Sequence, residues 1–95
     1  SSSAAIELAT AFALMLLSKN KVDLDENKKM ELINSCIYAE NHFIGVPCGM
    51  LDQGTISFGK NNNLVHIECK DKKIKNLILP ESFKNIKFWI FNTHK

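Results

Sequence analysis

The chain has 95 residues, a net formal charge of +2, 45% hydrophobic and 23% charged residues. That composition excludes a disordered or collagen-like chain and suits one modest domain. Its basic residues are all lysine, too dilute for a nucleic-acid surface, and its longest apolar run, Ala11 to Leu17, is too short to cross a bilayer. We therefore expect neither a nucleic acid nor a membrane as partner. Cys36, Cys48 and Cys69 form no CxxC pair, so free thiols in a reducing cytoplasm are expected rather than zinc ligands. Ser1 stands where a methionine would open a whole protein, and an apolar run lies close to Lys95. The chain reads as an internal piece of something longer.

Residues 3 to 18 predict a helix. Its apolar side chains, from Ala4 to Leu17, wrap nearly every face, which predicts burial. Three serines open it and suit a cap and first turn. Ser18-Lys19-Asn20-Lys21 ends it. A second helix is expected from about Leu24 to Phe43, with Asp23 and Glu26 in a capping-box pattern. Met30, Ile33 and Ile37 keep helical spacing along it. Gly45-Val46-Pro47-Cys48-Gly49 then breaks the helix into a tight loop. Met50 to Phe58 resumes as a short helix, stopped at Gly59. Beyond Gly59 the period changes to two. Leu64 to Cys69, Ile74 to Leu79 and Ile86 to Phe91 are strand candidates, the first two joined by a hairpin turn at Lys70–Lys73. Trp89 and Phe91 are assigned to strand core. The fold class is α+β: two main helices, a loop with a short helix, then antiparallel strands.

Three groups of residues carry possible chemistry. A helix N-terminus exposes unpaired N–H groups that attract phosphate, and the hydroxyls of Ser1, Ser2 and Ser3 add donors. Serines in that place also serve simply as caps. Asp52 follows a glycine-rich turn, where a ligand can approach the backbone closely, and could take a proton from a hydroxyl. It could equally bond to nearby backbone. Glu40 offers the hard oxygen that magnesium prefers, or is merely a solvated helix residue. The histidines 42, 66 and 94 lack metal-ligand spacing. Glu7 reads as a paired core carboxylate.

Together these stretches carry a family resemblance. Ser1-Ser2-Ser3-Ala4-Ala5-Ile6-Glu7-Leu8-Ala9-Thr10 resembles the second half of the second motif of the GHMP small-molecule kinases. Ala39-Glu40-Asn41-His42-Phe43-Ile44-Gly45-Val46-Pro47-Cys48-Gly49-Met50-Leu51-Asp52-Gln53 is similar to the sugar-site stretch of the galactokinase branch. Ile56–Gly59, Leu64–Cys69 and Phe88–Thr93 continue the likeness in register. Leu51 departs from the methionine often found there, a mild apolar exchange.

The resemblance implies a partial N-terminal GHMP kinase domain over residues 1–95, of a fold shared with a ribosomal protein domain. It implies ATP and Mg²⁺ as cofactors and a small-molecule sugar as substrate. Ser1, Ser2 and Ser3 would bind phosphate, Ser3 and Glu40 would hold magnesium, Gly49 would present backbone to the sugar, and Asp52 would be the catalytic base at the anomeric hydroxyl. The family's first and third motifs are absent, as is any arginine to partner Asp52, so the piece alone should be inactive and should expose apolar surface. The complete protein is expected to be a cytoplasmic monomer phosphorylating galactose. Another sugar such as arabinose or N-acetylgalactosamine is the alternative acceptor. A non-catalytic sugar sensor is disfavoured, because the serine–alanine stretch is intact.

Overall fold

A computed structural model describes residues 2–18 and 23–94. Three helices precede one antiparallel hairpin: α1 (Ser2–Ser18), α2 (Glu26–Ala39), α3 (Leu51–Phe58), β1 (Asn63–Glu68) and β2 (Lys73–Ile78). A single 3₁₀ turn follows at Glu81–Asn85. This is the α+β order expected from the change of hydrophobic period at Gly59.

Helix α2 begins at Glu26, not near Leu24, and its cap is Asp25 rather than Asp23. The Lys28 N–H donates to Asp25 Oδ1 at 2.8 Å, and the extended backbone of Asp25 turns the chain into the helix. Either aspartate has the right chemistry. The later start leaves Leu24 outside the helix and half-buried, lining a small apolar cleft with Leu8 and Phe12 of α1 and Leu32 of α2. A cap of this kind contributes about 1 kcal/mol.

The end of α2 keeps to the expected helical length but changes in form. The helix does not stop at Ala39 but widens into one π turn, Glu40–Ile44. Gly45 closes it at φ +78°, a left-handed conformation that favours glycine, and donates its N–H to the Glu40 carbonyl. The Val46 N–H bonds to the same carbonyl at 3.1 Å.

The core lies where α2, α3 and the hairpin meet. Ile33 is fully buried, with Met50 and Phe58 beside it. Val65, Ile67 and Ile74 close the far side, while Leu64, His66 and Glu68 face outward, so the period-two reading of β1 holds. Register runs from Asn63 opposite Ile78 to Glu68 opposite Lys73. The turn at residues 69–72 places Lys72 at positive φ. Helix α3 approaches this sheet closely because Gly54 has no side chain: a Cβ there would meet Ile74 Cδ1 at 3.0 Å and Ile67 Cδ1 at 3.2 Å. The Lys29 ammonium lies over the Phe58 ring, 5.2 Å from its centre.

Two expectations fail. Helix α1 is not buried all round. Ala4 and Leu8 are buried and Glu7, Ala11, Phe12 and Met15 half-buried, one stripe at helical spacing, while Ile6, Leu14 and Leu17 face water. Helices α2 and α3 cover a single side of α1. Nor is Ile86–Phe91 a strand. It runs without a hydrogen-bonded neighbour, and Trp89 and Phe91 are 76% and 82% exposed instead of forming core. The two-stranded hairpin has a free edge on each side, and this segment pairs with neither.

Candidate functional site

The start of α1, the π turn, the loop after it and the start of α3 converge on one cleft of about 320 Å³. Ser3, Glu40, Gly49 and Asp52 all line it, with Val46, Cys48, Leu51 and Gln53. Residues from three parts of the chain, Ser3, Glu40 and the Gly49–Asp52 stretch, thus share one concavity. Ser2 lies in the same exposed first turn of α1 as Ser3. Ser1 lies outside the described residues.

Each contributor reaches the cleft by a local cause. The serines sit at the open N-terminus of α1, where the first N–H groups have no helical partner. Asp52 occupies the first turn of α3, exposed. Glu40 opens the π turn, and although its helix neighbours Tyr38 and His42 face solvent, Glu40 is 7% exposed. It is not the solvated helix residue that its position in sequence allowed.

Behind Glu40 lies a second carboxyl, Glu7 of α1. Burial raises the Glu7 pKa, and a hydrogen bond and charge repulsion from Glu40 raise it further, while a hydrogen bond from Gln53 pulls it back. Glu7 Oε2 and Gln53 Oε1 are buried without a hydrogen-bond partner. Glu7 is therefore paired, but with another acid and an amide, not with a cation. Neither Glu7 nor Glu40 meets a lysine among the described residues; the ion pairs there join Lys73 to Asp71 and Lys84 to Glu81. Two close carboxyls without a compensating cation, one of them sharing the cleft with Ser3, are hard oxygen donors of the kind magnesium prefers. No group of three or more His, Cys, Asp or Glu side chains converges among the described residues. A divalent ion here would draw its remaining ligands from water and phosphate, the usual pattern for Mg²⁺.

The loop between α2 and α3 is fastened from both sides. The Cys48 N–H donates to Asn41 Oδ1 at 2.8 Å, and Asn41 Nδ2 donates to the Cys48 carbonyl at 3.4 Å. Gln53, 1% exposed, points its amide at Cys48 Sγ, 3.9 Å away. Burial pushes the Cys48 thiol up, and the Glu40 charge adds to it, which favours the protonated thiol over the thiolate. Burial likewise raises Cys36, with Glu7 contributing. All three cysteines are free. Asn41 and Gln53 were missed as functional candidates, since an amide inside a helical pattern carries no signal of its own. His42 stacks on Tyr38 with ring centres 4.0 Å apart, a local role.

An exposed helix start, a buried acid and a glycine-bearing loop thus border one small cleft. The family model for the GHMP kinases N terminal domain matches residues 1–60. The chain belongs to the GHMP kinase family. It is 38% identical over 95 residues to a galactokinase of Fusobacterium nucleatum, covering all of this chain and 23% of that one. It is 41% identical over 69 residues to a galactokinase of Bacillus subtilis, covering 73% of this chain and 16% of that one. It is 34% identical over 89 residues to an L-arabinokinase of Arabidopsis thaliana, covering 94% of this chain and 8% of that one. The chain thus spans less than a quarter of the length of these relatives. No solved structure shows significant similarity to it. No helix among the described residues is long and apolar enough to cross a membrane.

Proposed function

We propose that this chain is part of a sugar kinase that moves the γ-phosphoryl group of ATP to the anomeric hydroxyl of galactose, giving galactose 1-phosphate and ADP. The observation that carries the reading is the single cleft shared by Ser3, Glu40, Gly49 and Asp52.

In this reading the first turn of α1 receives phosphate oxygens on its free N–H groups and on the hydroxyls of Ser1, Ser2 and Ser3. Ser3 and Glu40 hold the magnesium ion, which supplies charge neutralisation at the phosphates when bound. Gly49 lets the sugar ring lie against the backbone. Asp52 orients the anomeric hydroxyl and accepts its proton as the oxygen attacks phosphorus and the bond to ADP breaks. Little covalent chemistry falls to the protein, so positioning and charge dominate. The exposure of Asp52, Ser2 and Ser3 leaves these groups open to both substrates. The missing catalytic arginine and sugar-binding residues would come from outside these 95 residues, so activity belongs to the longer protein.

L-arabinose is the second acceptor to consider, because an L-arabinokinase is among the similar proteins. The test is magnesium-dependent ADP formation by the full-length protein with galactose, L-arabinose and N-acetylgalactosamine. Turnover with galactose far above the others supports the proposal. Preference for arabinose moves the acceptor but keeps the kinase. Binding of ATP and galactose without turnover means a sensor.

A further inference from the structure

The loop Gly45–Gly49 is not self-supporting. The Gly45 and Val46 N–H groups both turn back to the Glu40 carbonyl. Pro47 has no N–H to offer. The next donor and acceptor, those of Cys48, both go to the side chain of Asn41. The loop therefore leans on two consecutive residues of the π turn. One of them, Glu40, lines the same cleft that the loop borders.

The orientation of the Asn41 amide follows from its partner. A backbone N–H can only donate and a backbone carbonyl can only accept, so Oδ1 must face the Cys48 nitrogen and Nδ2 its oxygen. Both polar atoms of one side chain are thus committed to one peptide residue seven positions on. The next residue is Gly49, which has open space where a Cβ would stand, on the wall of the cleft. Asn41 belongs to the π turn. That turn inserts one extra residue into the helical ladder, and such insertions are frequent at functional sites.

We propose that Asn41 is a positioning residue for the acceptor sugar: its amide grips both backbone groups of Cys48 and so fixes the Gly49 wall relative to Glu40. The inference rests on the sugar-kinase reading of this cleft. It goes beyond it by assigning the π turn a role, because one short segment sets the distance between the cation side of the cleft and the sugar side. Removing the amide leaves the Cys48 N–H without its partner and frees the loop, while the helix start that would receive phosphate is untouched.

The experiment is steady-state kinetics of the full-length protein, varying sugar and ATP separately, for wild type, Asn41→Ala and Asn41→Asp. Asn41→Ala removes both hydrogen bonds and leaves the part-buried Cys48 N–H unpaired, and should raise the KM for the sugar about tenfold. KM for ATP should stay within about twofold. Asn41→Asp keeps an oxygen for the Cys48 N–H, so its sugar KM should fall between the two. If Asn41→Ala does not fold, the Asn41→Asp protein alone must show the rise in sugar KM with ATP KM unchanged. A loss of kcat or of melting temperature with both KM values unmoved would make Asn41 merely structural and overturn the proposal. Wild type without turnover on any sugar would refute the sugar-kinase reading itself, and this inference with it. Active wild type with unaltered variants would refute the inference alone.

Discussion

The two ends of this chain have similar hydrophobicity and opposite fates. Ala4 to Leu17 is an apolar helix that finds partners for one face: Ala4 and Leu8 are buried, and its first turn borders the cleft. Ile86 to Phe91 is an apolar stretch that finds none among the described residues, with Ile90 98% exposed. A helix satisfies its own backbone and needs only a surface to lean on, whereas a strand needs a neighbour for every hydrogen bond. Strand-like sequence therefore remains merely extended until an edge pairs with it, which neither free edge of the hairpin does here, while helical sequence takes its form at once. The site forms in the helical half for this reason: every element that borders the cleft is a helix, a helix end or the loop tied to one.

The sharpest way to probe the contrast is chemical. Asp52→Asn in the full-length protein should lower kcat by about a hundredfold or more, the usual worth of a positioned base, with thermal stability nearly unchanged because Asp52 is exposed. Unaltered turnover would remove Asp52 from the reaction.

Next in size is the packing contrast. Ile33→Ala removes the centre of the core and should cost about 3 kcal/mol in urea unfolding. Trp89→Ala, in the 95-residue chain, should cost less than about 0.5 kcal/mol, as an exposed side chain does. Equal costs would mean that the last segment packs after all.

Gly54→Ala tests how tightly α3 sits on the hairpin. The substitution gains about 1 kcal/mol of helix propensity and loses about 2 kcal/mol to crowding against Ile74 and Ile67, a net loss of about 1 kcal/mol. Adding Ile74→Val, which removes the nearest methyl group, should restore part of it.

The smallest effect is electrostatic. Burial and Glu40 raise the Glu7 pKa, so the folded chain holds that proton more tightly than the unfolded chain. The stability Glu7 gains is full below the ordinary glutamate pKa and is lost as pH rises through the elevated one. In magnesium-free buffer, Glu7→Gln should therefore raise the melting temperature at neutral pH and change little in acid. A loss of stability at neutral pH would reverse that sign.

Much of this fold is legible in the amino-acid sequence. The residue types bordering each turn place α1, α3 and both strands to within about a residue or two. The stretches around Ser3, Glu40, Gly49 and Asp52 carry the family likeness, and the fold brings those residues to one cleft. Three things are not legible. Asp23 and Asp25 are chemically equal caps, and their residue type does not say which one is used. The π turn has no compositional mark, so Asn41 looks like any helix residue. Glu7 looks like half of a buried pair, but sequence does not show the sign of its neighbour. The unpaired stretch at 86–91 fails for a different reason: its pattern is that of a strand, and pairing depends on what lies opposite.

The most direct test of the shared site is a double-mutant cycle in the full-length protein, reading the magnesium concentration for half-maximal activity in wild type, Ser3→Ala, Glu40→Gln and the double variant. If one ion lies between Ser3 and Glu40, each single change raises that concentration and the double change raises it by less than the product of the two. Independent, multiplicative effects would mean that the two residues serve different ligands, and the single-site account would be wrong.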